Sequence, residues 1–101
     1  MAKLIVTART IPDGQAFIVK GRDAWALAEL LSAGANGCTP IDNPGPRWSG
    51  YVFNLKRIHG LNIETRHEPH RGQFPGTHAR YVLLSAVEII NRSDEQERRA
   101  A

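Results

Sequence analysis

Between Trp48 and Ile58 the apolar residues Trp48, Tyr51, Val52, Leu55 and Ile58 fall at i, i+3, i+4, i+7 and i+10, one continuous helical stripe. Arg47, Gly50, Asn54 and Arg57 fall on the opposite side, with Ser49, Phe53 and Lys56 on the flanks. Pro46 suits the first turn of such a helix, where a missing N–H costs nothing, and Gly60 suits the left-handed residue that closes it, with Leu61 folding back. The pattern predicts a helix over Pro46–His59, one face for a core and one for Arg, Asn and Ser.

The period elsewhere sorts the remaining elements. Lys3–Thr10 and Gln15–Lys20 are rich in β-branched and aromatic residues and flank Ile11-Pro12-Asp13-Gly14, a turn signal, so residues 1–20 are predicted as an N-terminal β-hairpin or arm. Two strands alone are marginal in water, so this unit must pack on the domain body or on a second copy, which makes it the candidate dimerisation element. Arg22–Ala33 reads as a largely buried helix through Ala24, Leu27, Ala28 and Leu31, widened by Trp25 and Leu30 and ended by Gly34. Asn36-Gly37 turns the chain, and Cys38 falls in a very short extended piece.

Thr39-Pro40-Ile41-Asp42 has the form of a helix start, and Asn43-Pro44-Gly45 stops it almost at once. A short second helix leading into a longer amphipathic one is helix-turn-helix geometry. After Gly60 the period changes to two: Leu61, Ile63, Thr65 and His67 alternate with polar residues, a Gly- and Pro-rich loop follows over 69–78, and a final strand runs from Ala79 toward Val87. Two antiparallel strands joined by a basic loop, directly after the long helix, make a wing. The fold class expected is α+β: a winged helix-turn-helix of three helices plus a C-terminal β-hairpin wing over residues 21–90, with the N-terminal hairpin before it. Residues 91–101 are expected as a polar tail, frayed or disordered.

Charge sharpens this picture. The 101 residues carry a net charge of +3, but residues 1–43 are balanced, whereas residues 44–80 hold six Arg or Lys against two Glu, along with all four histidines. Positive charge concentrated on one supersecondary unit suits a polyanion partner. No apolar run reaches the ~20 residues of a membrane span and no signal-peptide layout is seen, so a cytoplasmic, nucleoid-associated protein is expected. The single cysteine excludes an internal disulfide framework.

Gly21-Arg22-Asp23-Ala24-Trp25-Ala26-Leu27, Thr39-Pro40-Ile41-Asp42, Pro46-Arg47-Trp48-Ser49 and Gly76-Thr77-His78-Ala79-Arg80-Tyr81 resemble the blocks of small bacterial winged helix-turn-helix DNA-binding proteins, over about Phe17 to Leu84. The resemblance implies that the helix from Pro46 to His59 enters the major groove and that residues 70–80 form the wing.

The candidate DNA contacts follow. Arg47 suits a phosphate or a guanine edge, Asn54 a bidentate pair with adenine, Lys56 and Arg57 backbone phosphate, and Ser49 either. His70, Arg71, His78 and Arg80 are the candidate wing contacts. Trp48 and Tyr51 have the spacing of core rather than of a stacking platform for single strands. Phe53 lies off the main stripe, either covering the first helix or meeting a partner, and Phe74 near the loop tip suits a minor-groove wedge, a protein contact or its own sheet.

His67 and His70 with His59, His78 and Cys38 include zinc-ligand types, but no recognised metal spacing occurs and no cofactor is expected. No nucleophile elbow, phosphate-cradling loop or apolar carboxylate pair points to an enzyme. The partner expected is double-stranded DNA, bound by a transcriptional regulator that is a homodimer through the N-terminal hairpin. The alternatives are an excisionase-like factor that bends DNA and a winged-helix module that docks a protein.

Overall fold

Val6 and Ala8 alternate with Ile5, Thr7 and Arg9, and the strand they form becomes the centre of a sheet. The structure, a computed structural model, describes residues 4–45, 47–70 and 76–94. Its elements are β1 (Leu4–Thr10), β2 (Ala16–Lys20), α1 (Gly21–Ala33), a single 3-10 turn (Gly34–Asn36), α2 (Trp48–Arg57), β3 (Ile63–His70), β4 (Gly76–Leu83) and β5 (Val87–Asp94). The strands make a three-stranded antiparallel sheet in the order β2-β1-β5 and a separate ribbon β3-β4.

The N-terminal hairpin is therefore part of the domain body. β1 is paired on both sides, with Ile5 opposite Lys20 on β2 and opposite Ser93 on β5, and a bulge against β5 falls between Thr7 and Ala8. Val6, Ala8 and Val19 are buried against α1, whose Ala24, Ala26, Leu27 and Leu30 fill the middle of the core. The boundary expected near residue 91 falls inside β5. The sequence Asn91-Arg92-Ser93 has too little apolar content to signal a strand, and its strand character comes from pairing with β1, more than eighty residues earlier.

The ends of the helices follow local chemistry. α1 ends at Gly34, which takes a φ of 58° and donates its N–H to the Leu30 carbonyl. Gly37, at a φ of 69°, also lies so close to β4 that a Cβ there would stand 2.5 Å from the Tyr81 carbonyl oxygen. Beside it Cys38 and Tyr81 exchange both backbone hydrogen bonds at 2.9 Å, a one-residue bridge that ties the ribbon to the body. This is the short extended piece expected at Cys38. At the far end of α2, Gly60 has a φ of 68° and donates its N–H to the Lys56 carbonyl at 3.1 Å, while Leu61 folds back and is buried.

Three helices were expected, and the described residues contain two α-helices. Thr39 does begin a turn: its hydroxyl accepts the Asp42 N–H at 2.9 Å and its carbonyl accepts the Asn43 N–H at 2.9 Å. The turn stops there because Pro44 disfavours helical backbone at Asn43. α2 is also shorter than its pattern, running from Trp48 to Arg57 with Arg47 at the N-cap; position 46, where a first-turn proline was expected, lies outside the described residues. Trp48, Tyr51, Val52 and Leu55 are buried as the stripe requires, but Ile58 is 69% exposed, because it caps the helix beyond the packed body. The final strand expected from Ala79 to Val87 is two strands, β4 and β5, separated by Leu84, Ser85 and Ala86.

Candidate nucleic-acid interface

An aromatic cluster seats α2. Trp48 stacks on Tyr81 of β4 with centroids 5.9 Å apart, packs against Trp25 of α1 at 5.3 Å, and donates its indole N–H to the Asn43 carbonyl at 2.6 Å. His59, just past the helix, stacks on Phe17 of β2 at 5.1 Å. Both ends of α2 are thus held by rings, and the rotation of the helix about its axis is set by burial of one stripe.

That rotation decides which side chains face out. Arg47, Ser49, Gly50, Phe53, Lys56 and Arg57 are exposed. Asn54 was expected among them as a base-reading residue, and the structure places it half-buried at the α1 side. Its amide Nδ2 donates to both carboxylate oxygens of Asp23, at 3.3 and 3.1 Å. At 100° per residue, position 54 lies closer to the neighbouring helix than to the outer line, and an acid in the first turn of α1 captures it. Phe53 takes the outward place instead, 59% exposed, with the Arg57 guanidinium 5.7 Å from its ring centroid.

Between α2 and the ribbon runs an open groove of about 420 Å³. Val52, Phe53 and Tyr81 give it an apolar floor, and Ser49, Lys56, Arg57 and Thr65 line it with polar and cationic groups. It brings together three of the predicted contacts, Ser49, Lys56 and Arg57, with Thr65, which the sequence reading did not single out.

The ribbon is organised differently. Leu61 and Ile63 are buried, but Thr65, Arg66 and His67 are exposed, so β3 loses its covered face as it leaves the body. Two of the predicted wing contacts, His78 and Arg80, are instead engaged within the fold. Arg80 donates to both carboxylate oxygens of Glu68, from Nε at 3.0 Å to each, and its Nη1 donates to the Asn36 carbonyl at 2.7 Å. The His78 ring Nε2 lies 2.8 Å from the same carboxylate. The Asp42 carboxylate stands 3.7 Å from Arg80.

The hydrogen bonds from Arg80, then that from His78, hold the Glu68 carboxyl down at about 2, and the bonds to Glu68 raise the Arg80 pKa in turn. Arg80 therefore acts as a strut from the ribbon to the 3-10 turn. The register that pairs Glu68 with His78 and Arg66 with Arg80 could have suggested this, had the strand ends been known. On the same ribbon Arg66 is paired with Glu64. The side chain of His70, and Arg71 and Phe74 entirely, lie outside the described residues.

Cys38 is fully buried, and burial with nearby Glu29 pushes its thiol up to about 11. Among the described residues no group of three or more His, Cys, Asp or Glu is placed to hold a metal ion, and no helix is long and apolar enough to cross a membrane.

Two helices joined by a connection that holds the 3-10 turn, Cys38 and the Thr39 turn, then an antiparallel ribbon bridged to that connection at Cys38, form one continuous unit. A family model described as a winged helix domain matches residues 16–93. The chain belongs to the winged helix domain family. The match begins at β2 and ends within β5, so it includes residues 91–93, which were expected at the start of a polar tail. No curated protein and no solved structure matches the chain.

Proposed function

We propose that this winged helix domain binds duplex DNA and serves as a small transcriptional regulator on the bacterial nucleoid. α2 enters the major groove while the ribbon follows the backbone. The observation that carries this reading is the outer face of α2. It exposes Arg47, Lys56 and Arg57, α2 contains no acidic residue, and the groove beside it opens between cationic and hydroxyl side chains. Phosphate neutralisation by these cations supplies affinity, and the outward residues of α2 meet the base edges.

Asn54 supports the site from behind, as its bond to Asp23 fixes α1 against α2. His78 and Arg80 set the position of the ribbon, and His70 and Arg71 keep their expected role as contacts to phosphate or the minor groove. The homodimer belongs to the same reading, now through the outward side of the three-stranded sheet rather than through a free hairpin. Ile18 on β2 and Ile90 at the β5 bulge are each more than half exposed there.

Binding to a duplex measured across a salt series tests the proposal. Affinity is expected to fall with log K dropping by about 0.9 per phosphate contact for each tenfold rise in salt, and Arg57→Ala is expected to lower that slope by about one contact. Binding that ignores salt, or that Arg47→Ala and Arg57→Ala leave untouched, overturns it.

A further inference from the structure

Gly50 is a residue the fold does not ask for. It lies in the first turn of α2, three residues after the Arg47 N-cap, where alanine is the better helix former. Its backbone is not in the positive-φ region, and a Cβ built on it would meet only the Arg47 Cβ, at 3.9 Å. Neither backbone geometry nor a crowding neighbour accounts for it. The remaining reason for a bare helical backbone is an approach from outside.

One turn further along the same line stands Phe53, more than half exposed in the middle of a helix, and one turn beyond that Arg57. Gly50, Phe53 and Arg57 follow i, i+3 and i+7, so the outermost line of α2 reads bare backbone, aromatic ring, cation. The ring stays 59% exposed at the edge of the groove, with the Arg57 guanidinium 5.7 Å from its centroid, so an apolar surface is presented outward among cations.

We propose that Phe53 is a specificity residue that reads the C5-methyl group of thymine in the major groove, and that Gly50 leaves the helix bare enough for it to reach. The inference rests on the DNA-binding reading above. A phenyl ring has no donor or acceptor, and the thymine methyl is the one apolar group that base edges present in the major groove. Pressed against a guanine, adenine or cytosine edge instead, the ring would strip water from polar groups and return no hydrogen bond. The flanking cations, Arg47 and Arg57, favour nucleic acid over an apolar protein partner at this strip.

The test uses the full chain and a duplex retained from a random library, in which each thymine is replaced in turn by uracil, a change that removes only the methyl. One or two positions are expected to lose about three- to fivefold in affinity, the value of a single buried methyl. Phe53→Ala is expected to abolish that discrimination, and Phe53→Leu to keep part of it. Gly50→Ala is expected to melt at a higher temperature than the parent while binding the duplex more weakly, a combination that a merely structural glycine cannot give.

Retained duplexes that ignore every uracil, or equal losses in parent and Phe53→Ala, overturn the thymine reading and leave DNA binding intact. Failure to retain any duplex at low salt overturns DNA binding itself and this inference with it. Duplex binding unchanged in Phe53→Ala, accompanied by loss of self-association, assigns the strip to a protein contact and overturns the inference.

Discussion

The two sheets of this domain are held by different forces. The three-stranded sheet buries Val6, Ala8 and Val19 completely or nearly so, and α1 closes over them with Leu27 and Leu30. The ribbon keeps an apolar anchor only at its base, through Ile63, Tyr81 and Val82. Further out, β3 is tied to β4 by Glu68, which engages His78 and Arg80 across the ribbon. A ribbon that must leave the body and meet solvent on both faces has no burial to orient it, so charge and hydrogen bonding do so. The ribbon should accordingly respond more to salt and acid than the packed sheet, whose Arg9–Glu88 ion pair is exposed and weakly coupled to the core.

The comparison breaks most severely at the packed sheet. Leu27→Ala removes a fully buried side chain at the junction of α1 and that sheet, and is expected to cost about 2–5 kcal/mol in urea unfolding. A smaller loss would mean that the sheet, and not the helix, dominates the core. The next effect is acid loosening of the ribbon. Glu68 titrates at about 2 in the fold, below its ordinary 4.5, so its contribution is complete above the ordinary value and drains away as pH falls through about 2.

Protection factors at the β4 amides, which correct for the intrinsic pH dependence of exchange, should therefore fall over that range ahead of those in β1, and Glu68→Gln should lower them already at neutral pH. An equal fall in β1 and β4 would erase the distinction between the sheets. The smallest effect is Ile18→Lys on the outward side of the packed sheet, expected to change stability by no more than about 0.5 kcal/mol while weakening any sedimenting dimer.

What was legible in the sequence was whatever depended on neighbours. The stripe Trp48, Tyr51, Val52 and Leu55 is buried, Gly34 and Gly60 end their helices, and Cys38 lies in a one-residue strand. What escaped depended on partners distant in the chain. Asn91 to Asp94 are polar, and become a strand only because β1 offers an unpaired edge. Asn54 looks like a base reader until Asp23, 31 residues away, takes its amide. Arg80 looks like a free cation until Glu68 and the Asn36 carbonyl claim it.

The third helix fails for a local reason, Pro44, which overrides the good start at Thr39. On α2 the expected cations are exposed, and of the two places open to Phe53, over the first helix or outward toward a partner, the structure gives the outward one.

Leu4 and Asp94 stand opposite each other where the outer strand meets the central one. The start of β1 and the end of β5 therefore meet at one corner of the three-stranded sheet, and a spectroscopic label at either strand end would report from the same place.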